Sequence, residues 1–193
     1  DARGRIVSFG GRAMNPDDRA KYLNGPESPL FHKGATLYGL PEARRILGAE
    51  SKTDQSIIVV EGYMDVIALA RAGFEGAVAP LGTANTEEQL RLMWRVSPEP
   101  VIALDGDAAG LRAAMRLIDL ALPLTGPGQA LRFALLPPGQ DPDDLIRAGG
   151  PAAMRAVIEA AQPLVDLLWR RETEGRSFDS PERKAARVRA SQP

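Results

Sequence analysis

VIALDGDAAGLRAA, residues 101–114, joins an apolar run of strand character to two carboxylates spaced two apart and then to a helix-like segment. Asp105 and Asp107 stand in chain that, if extended, alternates its side chains with period two, so both can face one side. Gly106 allows a tight bend there, and Gly110 lets the following helix pack closely. A single Asp-x-Asp is ambiguous, because Asp107 serves equally well as the N-cap of a helix over 108–121. Two further stations weigh against that reading. Glu61 directly follows SIIVV at 56–60, and the DPDD run Asp141–Asp144 follows LRFALL at 131–136. In an open α/β sheet the carboxyl ends of the strands form the crevice in which ligands bind. Three strands would thus deliver carboxylates to one edge. Such charge repels itself unless a divalent cation lies between the groups, and Mg²⁺ prefers carboxylate and water oxygens. The expectation is a magnesium site for phosphate chemistry, with Mn²⁺ as a substitute.

Working outward, strands and helices alternate. A helix is expected over 41–47, stopped by Gly48. Strand 56–60 leads to helix 63–72, ended by Gly73, and strand 76–81 leads to helix 86–95. Thr86 is the N-cap of that helix, with Glu87 and Glu88 in its first turn. Strand 100–104 leads to helix 108–121, and strand 131–136 leads across the acidic loop to helix 151–168. This order implies an α/β fold, an open and mostly parallel sheet with right-handed crossovers and flanking helices. Residues 1–40 are rich in Gly, Asn and Pro, and GRIVSFGGR at 4–12 reads as a strand, a Gly-Gly turn and a continuing chain. Together they suggest a small basic α+β N-terminal portion. Ser180-Pro181-Glu182 is a sound helix start and KAARVRA follows it, giving a C-terminal helical tail. The expected divisions are 1–52, 53–150 and 151–193.

Composition sets limits. The 193 residues are 44% hydrophobic, with no apolar run near the roughly 18 residues of a membrane span. No signal-peptide pattern opens the chain. The absence of cysteine and the single His32 exclude disulfides and thiolate zinc sites, so no zinc is expected and a cytoplasmic setting is the default. Charge is segregated: residues 1–52 carry nine Lys/Arg against six Asp/Glu, residues 53–168 carry eight against fifteen, and residues 169–193 carry seven against four. A basic portion beside an acidic one suits a polyanion threaded between them, although exposed charge also varies by a few units without purpose. The chain lacks an initiator Met, and neither end reads as a domain boundary, which suggests a piece of a longer protein.

Each candidate has a plain alternative. Glu61 after IIVV loses solvation unless paired or metal-bound. Asp65, four residues on, belongs either to the helix start or behind the ligands in a supporting role. Pro142 biases Asp141 toward extended backbone, and Asp144 is expected to cap the helical turn DLIRAGG. In isolation the acidic loop reads as a solvated turn. Lys21 and Lys33 flank KYLNGPESPLFHKG, shaped by Gly25, Pro26 and Pro29. Their ammonium groups can neutralise triphosphate oxygens while Asn24 bonds a sugar or phosphate, yet most lysines are plain surface groups. His32 reads as a structural or surface imidazole. Phe31, Tyr22 and Tyr38 read as packing residues of the small lobe.

The order Glu, Asp-x-Asp, Asp-x-Asp behind successive strands resembles the Toprim domain shared by primases, topoisomerases and some nucleases. GRIVSFGGR, KYLNGPESPLFHKGATLYGLPEAR, VVEGYMDVIALARAG, PLGTA at 80–84 and DGDAAGLRAA resemble the RNA polymerase domain of the bacterial DNA primases, over residues 3–168. The resemblance implies template-directed synthesis of RNA primers on single-stranded DNA from ribonucleoside triphosphates. It places Glu61, Asp105 and Asp107 as catalytic metal ligands together with Asp141 and Asp143. It makes Arg12, Lys21, Asn24 and Lys33 holders of nucleotide and primer–template, with Gly82 and Thr83 in a loop beside the metals. It also implies the replicative helicase as a partner, through a domain with no counterpart in this sequence, and no membrane. The family's zinc module and the first part of its polymerase domain likewise have no counterpart. Two alternatives stand: Toprim nuclease or topoisomerase chemistry, the latter disfavoured because Tyr22, Tyr38 and Tyr63 all lie in primase-like motifs, and a fragment that binds nucleotide and metal without synthesis.

Overall fold

A computed structural model describes residues 1, 3–15, 22–48, 56–82 and 84–174. The helix expected after Ser180 lies outside them, as do Lys21 and Thr83. The short strands β1 (Gly10–Arg12) and β2 (Tyr22–Asn24) pair antiparallel. After them come β3 (Leu37–Tyr38), α1 (Leu40–Leu47), β4 (Ile58–Val59), α2 (Tyr63–Arg71), β5 (Ala77–Pro80) and α3 (Glu87–Trp94). The chain continues through β6 (Val101–Leu104), α4 (Ala108–Ala121), β7 (Arg132–Leu135), α5 (Pro142–Glu159), β8 (Gln162–Pro163) and α6 (Leu164–Thr173). The main sheet has six strands in the order β3-β5-β4-β6-β7-β8; its four central strands are parallel, and both edge strands are antiparallel. From β4 the chain moves first to β5 on one side and later to β6 on the other. The sheet therefore switches direction at β4, where a crevice opens in folds of this kind.

Alternation along the central strands feeds two cores. Ile57, Val59, Ile102, Leu104, Leu131 and Phe133 pack to one face with Leu90 and Met93 of α3, Leu117 and Ile118 of α4 and Leu167 of α6. Ile58, Val60, Val101, Ala103, Ala134 and Leu136 pack to the other with Leu69 of α2 and Leu145 and Met154 of α5. Burial on both faces explains why these strands read as continuous apolar runs.

Three expectations change. The helix expected over 151–168 is two helices. α5 begins earlier, at Pro142, and Gly150 (φ 68°) with Pro151 breaks its helical path. It ends at Glu159, and Gln162-Pro163 then forms the edge strand before α6. Pro163 explains the break: it disfavours helix at the residue before it, and it is tolerated on a sheet edge where no N–H is needed. The Arg132 guanidinium holds the junction by donating to the Ala161 carbonyl at 2.7 Å. In GRIVSFGGR, residues 5–9 are outside any strand, and Gly10-Gly11 lie within β1 rather than in a turn. Gly10 is needed for approach, since a Cβ there would lie 3.1 Å from Asn24 Oδ1 and 3.3 Å from the Tyr63 ring. The third change concerns which aspartate caps α5, described with the site below.

Phe133 of β7 is fully buried between the sheet and the helices on one face. Phe133→Ala is expected to destabilise the protein by about 3–5 kcal/mol in denaturant titration. A loss under about 1 kcal/mol would contradict this packing.

Candidate active site

The three acidic stations meet where the sheet switches direction. Glu61 follows the β4 segment, Asp105 follows β6, and Asp141 starts α5 beyond β7. With Asp65, Asn24 and Gly82 they line one cleft of about 260 Å³. Two glycines make the β6–α4 turn possible. A Cβ on Gly106 would sit 1.7 Å from the Leu136 carbonyl oxygen, and one on Gly110 would sit 2.0 Å from that of Asp105. No side chain fits at either place, so the Asp105 turn can press against the end of β7.

Charge crowding marks the cleft. Glu61 lines the cleft and is exposed. Partial loss of solvent, then the charges of Asp105 and Asp107, raise its pKa above the ordinary carboxylate value. Its exposure tempers the expectation of a desolvated glutamate. Asp65 lies deeper and is pushed up to about 6, by burial first and then by Asp141, with smaller contributions from Asp105 and Glu61. A hydrogen bond from the Gly62 N–H to Asp65 Oδ2, at 3.1 Å, acts in the opposite direction.

The remaining aspartates are held by helix starts. Asp107 is the N-cap of α4, and its Oδ1 accepts from the N–H groups of both Ala109 and Gly110 at 2.8 Å. The capping reading and the ligand reading are compatible, since both bonds use one oxygen. Asp141, not Asp144, is the N-cap of α5: its Oδ1 accepts from the Asp144 N–H at 2.8 Å. Pro142 fixes this, because proline favours the first helical position and makes the residue before it the cap. Asp143 lies one step outside the cleft lining and pairs with Arg147, which also reaches Asp144 at 3.5 Å. Among the described residues no three His, Cys, Asp or Glu side chains stand together as a group that could by themselves hold a metal ion. An open set of hard oxygen donors suits Mg²⁺, which keeps several waters and takes one or two carboxylates together with substrate phosphates.

The basic side is placed in part. Asn24 at the end of β2 reaches the acidic cleft, and its buried Oδ1 has no hydrogen-bond partner among the described residues. Arg12 ends β1 opposite Tyr22. Lys33 begins a 3₁₀ turn over Lys33–Ala35 and is outside the cleft lining. His32 is exposed and contacts Glu27 at 3.2 Å. Phe31 is buried, and Tyr38 packs on Tyr63 with ring centroids 5.8 Å apart, so both serve packing. Sequence reasoning missed Gln89. It is buried in the first turn of α3 and bonded to the backbone beside Lys33. Its only signal was a Gln three residues after the N-cap Thr86, the capping-box pattern.

A sheet covered on both faces, with carboxylates from three strand ends at its switch point, defines a Toprim-type protein, and residues 55–132 match the Toprim domain. Residues 1–44 match the DNA primase catalytic core, N-terminal domain. The chain is 49% identical over 170 residues to a DNA primase of Pseudomonas aeruginosa, covering 88% of this chain and 25% of that protein. Its fold is similar to a DnaG primase catalytic domain solved bound to single-stranded DNA, with TM-score 0.87 and 41% identity, over 100% of this chain and 61% of that one. It is also similar to the RNA polymerase domain of Mycobacterium tuberculosis primase, with TM-score 0.78 and 31% identity, over 100% of this chain and 68% of that one. The chain belongs to the bacterial DNA primase family. It spans about a quarter of the length of the curated relatives it matches.

Asp65 gives the site a pH signature. Its folded pKa, about 6, lies above its ordinary 3.8. Its contribution to stability is therefore full below pH 3.8 and is lost as pH rises through 6. In chelator-treated protein at pH 8, Asp65→Asn should melt higher than wild type, with the gap closing as pH falls from 6 toward 4. Equal melting at pH 8 would contradict the crowding.

Proposed function

We propose that this chain carries the catalytic centre of a primase, which joins ribonucleoside triphosphates into short RNA primers on a single-stranded DNA template. The observation that carries this reading is the convergence of Glu61, Asp105 and Asp141 with Asn24 in one cleft. The likeness to a primase core solved with single-stranded DNA supports the choice of template.

Glu61, Asp105 and Asp107 would hold a divalent cation, Mg²⁺ or Mn²⁺, with Asp141 and Asp143 as further carboxylates. The cation would supply a lowered pKa for the primer 3′-hydroxyl and charge neutralisation at the triphosphate. The protein's own groups orient and balance. Asp107 presents its second oxygen because two backbone N–H groups fix the first. Asp65, anchored to the Gly62 N–H, adds negative potential from behind and makes the cleft favour a bound proton or cation. Asn24 bonds sugar or phosphate at the cleft wall. Arg12, Lys21 and Lys33 offset the phosphate charge that builds as the 3′-hydroxyl attacks the α-phosphate and pyrophosphate leaves. Gly82 leaves open space at the cleft wall.

In this reading residues 1–52 supply the basic part of the centre and 53–150 the Toprim part, and the chain beyond 150 continues through the end of α5, β8 and α6. The setting is the cytoplasm at a bacterial replication fork. No described helix is long and apolar enough to cross a membrane. The replicative helicase is the expected partner of the whole protein, through a segment that this chain does not match.

The test is primer synthesis on single-stranded DNA with labelled ribonucleotides and Mg²⁺, wild type beside Asp107→Ala. Loss of two to three powers of ten in rate, about 3–4 kcal/mol, is expected in the folded variant. A near wild-type rate in the variant would remove Asp107 from the machinery. Cleavage of the DNA in place of synthesis would favour nuclease chemistry.

A further inference from the structure

Gln89 is a buried side chain whose amide is hydrogen-bonded at both its oxygen and its nitrogen. It is 1% exposed, and its Nε2 donates to two backbone carbonyls, those of Lys33 and Thr36, each at 2.9 Å. Its Oε1 accepts from the Thr86 N–H at 3.0 Å. The neighbouring Thr86 hydroxyl donates to the Gly34 carbonyl and accepts from the Gln89 N–H at 3.2 Å. The first turn of α3 thus grips three carbonyls in and beside the 3₁₀ turn that carries Lys33. These partners are more than 50 residues away in sequence. The contact is also tight: a Cβ on Gly34 would lie 3.3 Å from the Thr86 methyl.

The other end of this device is the acidic cleft. Gly82 lines the cleft, and α3 is capped only four residues later by Thr86. One short segment therefore carries a wall of the carboxylate site and the anchor of the basic turn. We propose that Gln89 is a positioning residue that fixes the Lys33 turn against the acidic cleft, so that an ammonium group and the carboxylate site engage one nucleoside triphosphate. This rests on Lys33 binding phosphate, as proposed above. A buried network with every member bonded has one low-energy arrangement. Losing the amide removes the Gln89 donor from the Thr36 carbonyl and leaves the Lys33 carbonyl only the Thr36 N–H, at 3.3 Å, and the turn escapes that cost by shifting toward water.

The test compares wild type, Gln89→Met and Gln89→Glu. Methionine keeps the volume without hydrogen bonds. Glutamate keeps the shape and the acceptor for the Thr86 N–H, but sets oxygen against both carbonyls. Two equilibria are measured on protein verified as folded: ATP binding with Mg²⁺, and Mn²⁺ binding without nucleotide. ATP affinity should fall about three- to tenfold, of the size usual for coupled neighbours, with Mn²⁺ affinity unchanged within about twofold. In a Lys33→Ala background the Gln89 substitution should add nothing. Unchanged ATP affinity in a folded variant overturns the proposal, as does an equal loss with and without Lys33. If Lys33→Ala itself leaves ATP binding intact, the phosphate role of Lys33 fails and this inference falls with it, while the Mn²⁺ measurement still reports on the acidic site. Should both variants fail to fold, the wild type decides by NMR. The Gln89 side-chain amide protons should shift on adding ATP with Mg²⁺, and unmoved resonances overturn the proposal.

Discussion

Repulsion among carboxylates gathered at the carboxyl edge of one sheet is the constraint on which this structure turns. Glu61 and Asp65 both hold their protons more tightly than ordinary side chains, and the causes include Asp105, Asp107 and Asp141. A fold arranged for stability alone would disperse those charges. Here the strand order concentrates them, because the sheet changes direction at β4 and leaves a crevice between the ends of β4 and β6. The strain is relieved by anything that brings positive charge into the crevice.

The rest of the chain serves to hold that arrangement open. Two cores, one on each face of the sheet, leave the strands little freedom to slide. Gly106 and Gly110 admit the close backbone contacts that set the Asp105 turn against β7. Helix starts then fix the carboxylates: Asp107 on α4, Asp141 on α5 and Asp65 on the N–H of Gly62. At Asp107 and Asp141 the capping bonds fall on one carboxylate oxygen, Oδ1. The buried amide of Gln89 extends the same logic to the basic side, where backbone carbonyls rather than charges are held.

Much of this was legible in the sequence. The strands of an α/β sheet covered on both faces are short apolar runs, and a carboxylate that ends such a run has one edge to occupy. Glu61 and Asp105 were therefore placed from pattern alone, and α4 was read at its observed bounds, Ala108–Ala121. The failures have local causes. The single helix expected over 151–168 runs through Pro163, whose fixed φ and missing N–H separate α5 from α6 and suit an edge strand. Asp144 was preferred as a cap although Pro142 already assigns that place to Asp141. Gly10 and Gly11 read as a turn because sequence cannot reveal that the Tyr63 ring and Asn24 crowd Gly10. Gln89 was invisible for a similar reason: its partners are remote in sequence, and a glutamine in a first helical turn is ordinary.

The most direct measurement is anomalous diffraction from crystals of this protein soaked in Mn²⁺ after chelator treatment. An anomalous peak within coordination distance of Glu61 and Asp105, reached by the free oxygen of Asp107 or by Asp141, is the result this account predicts. Crystals with no peak in the cleft, or with manganese only at unrelated surface carboxylates, would contradict it. The carboxylates would then be crowded for some purpose other than holding a cation.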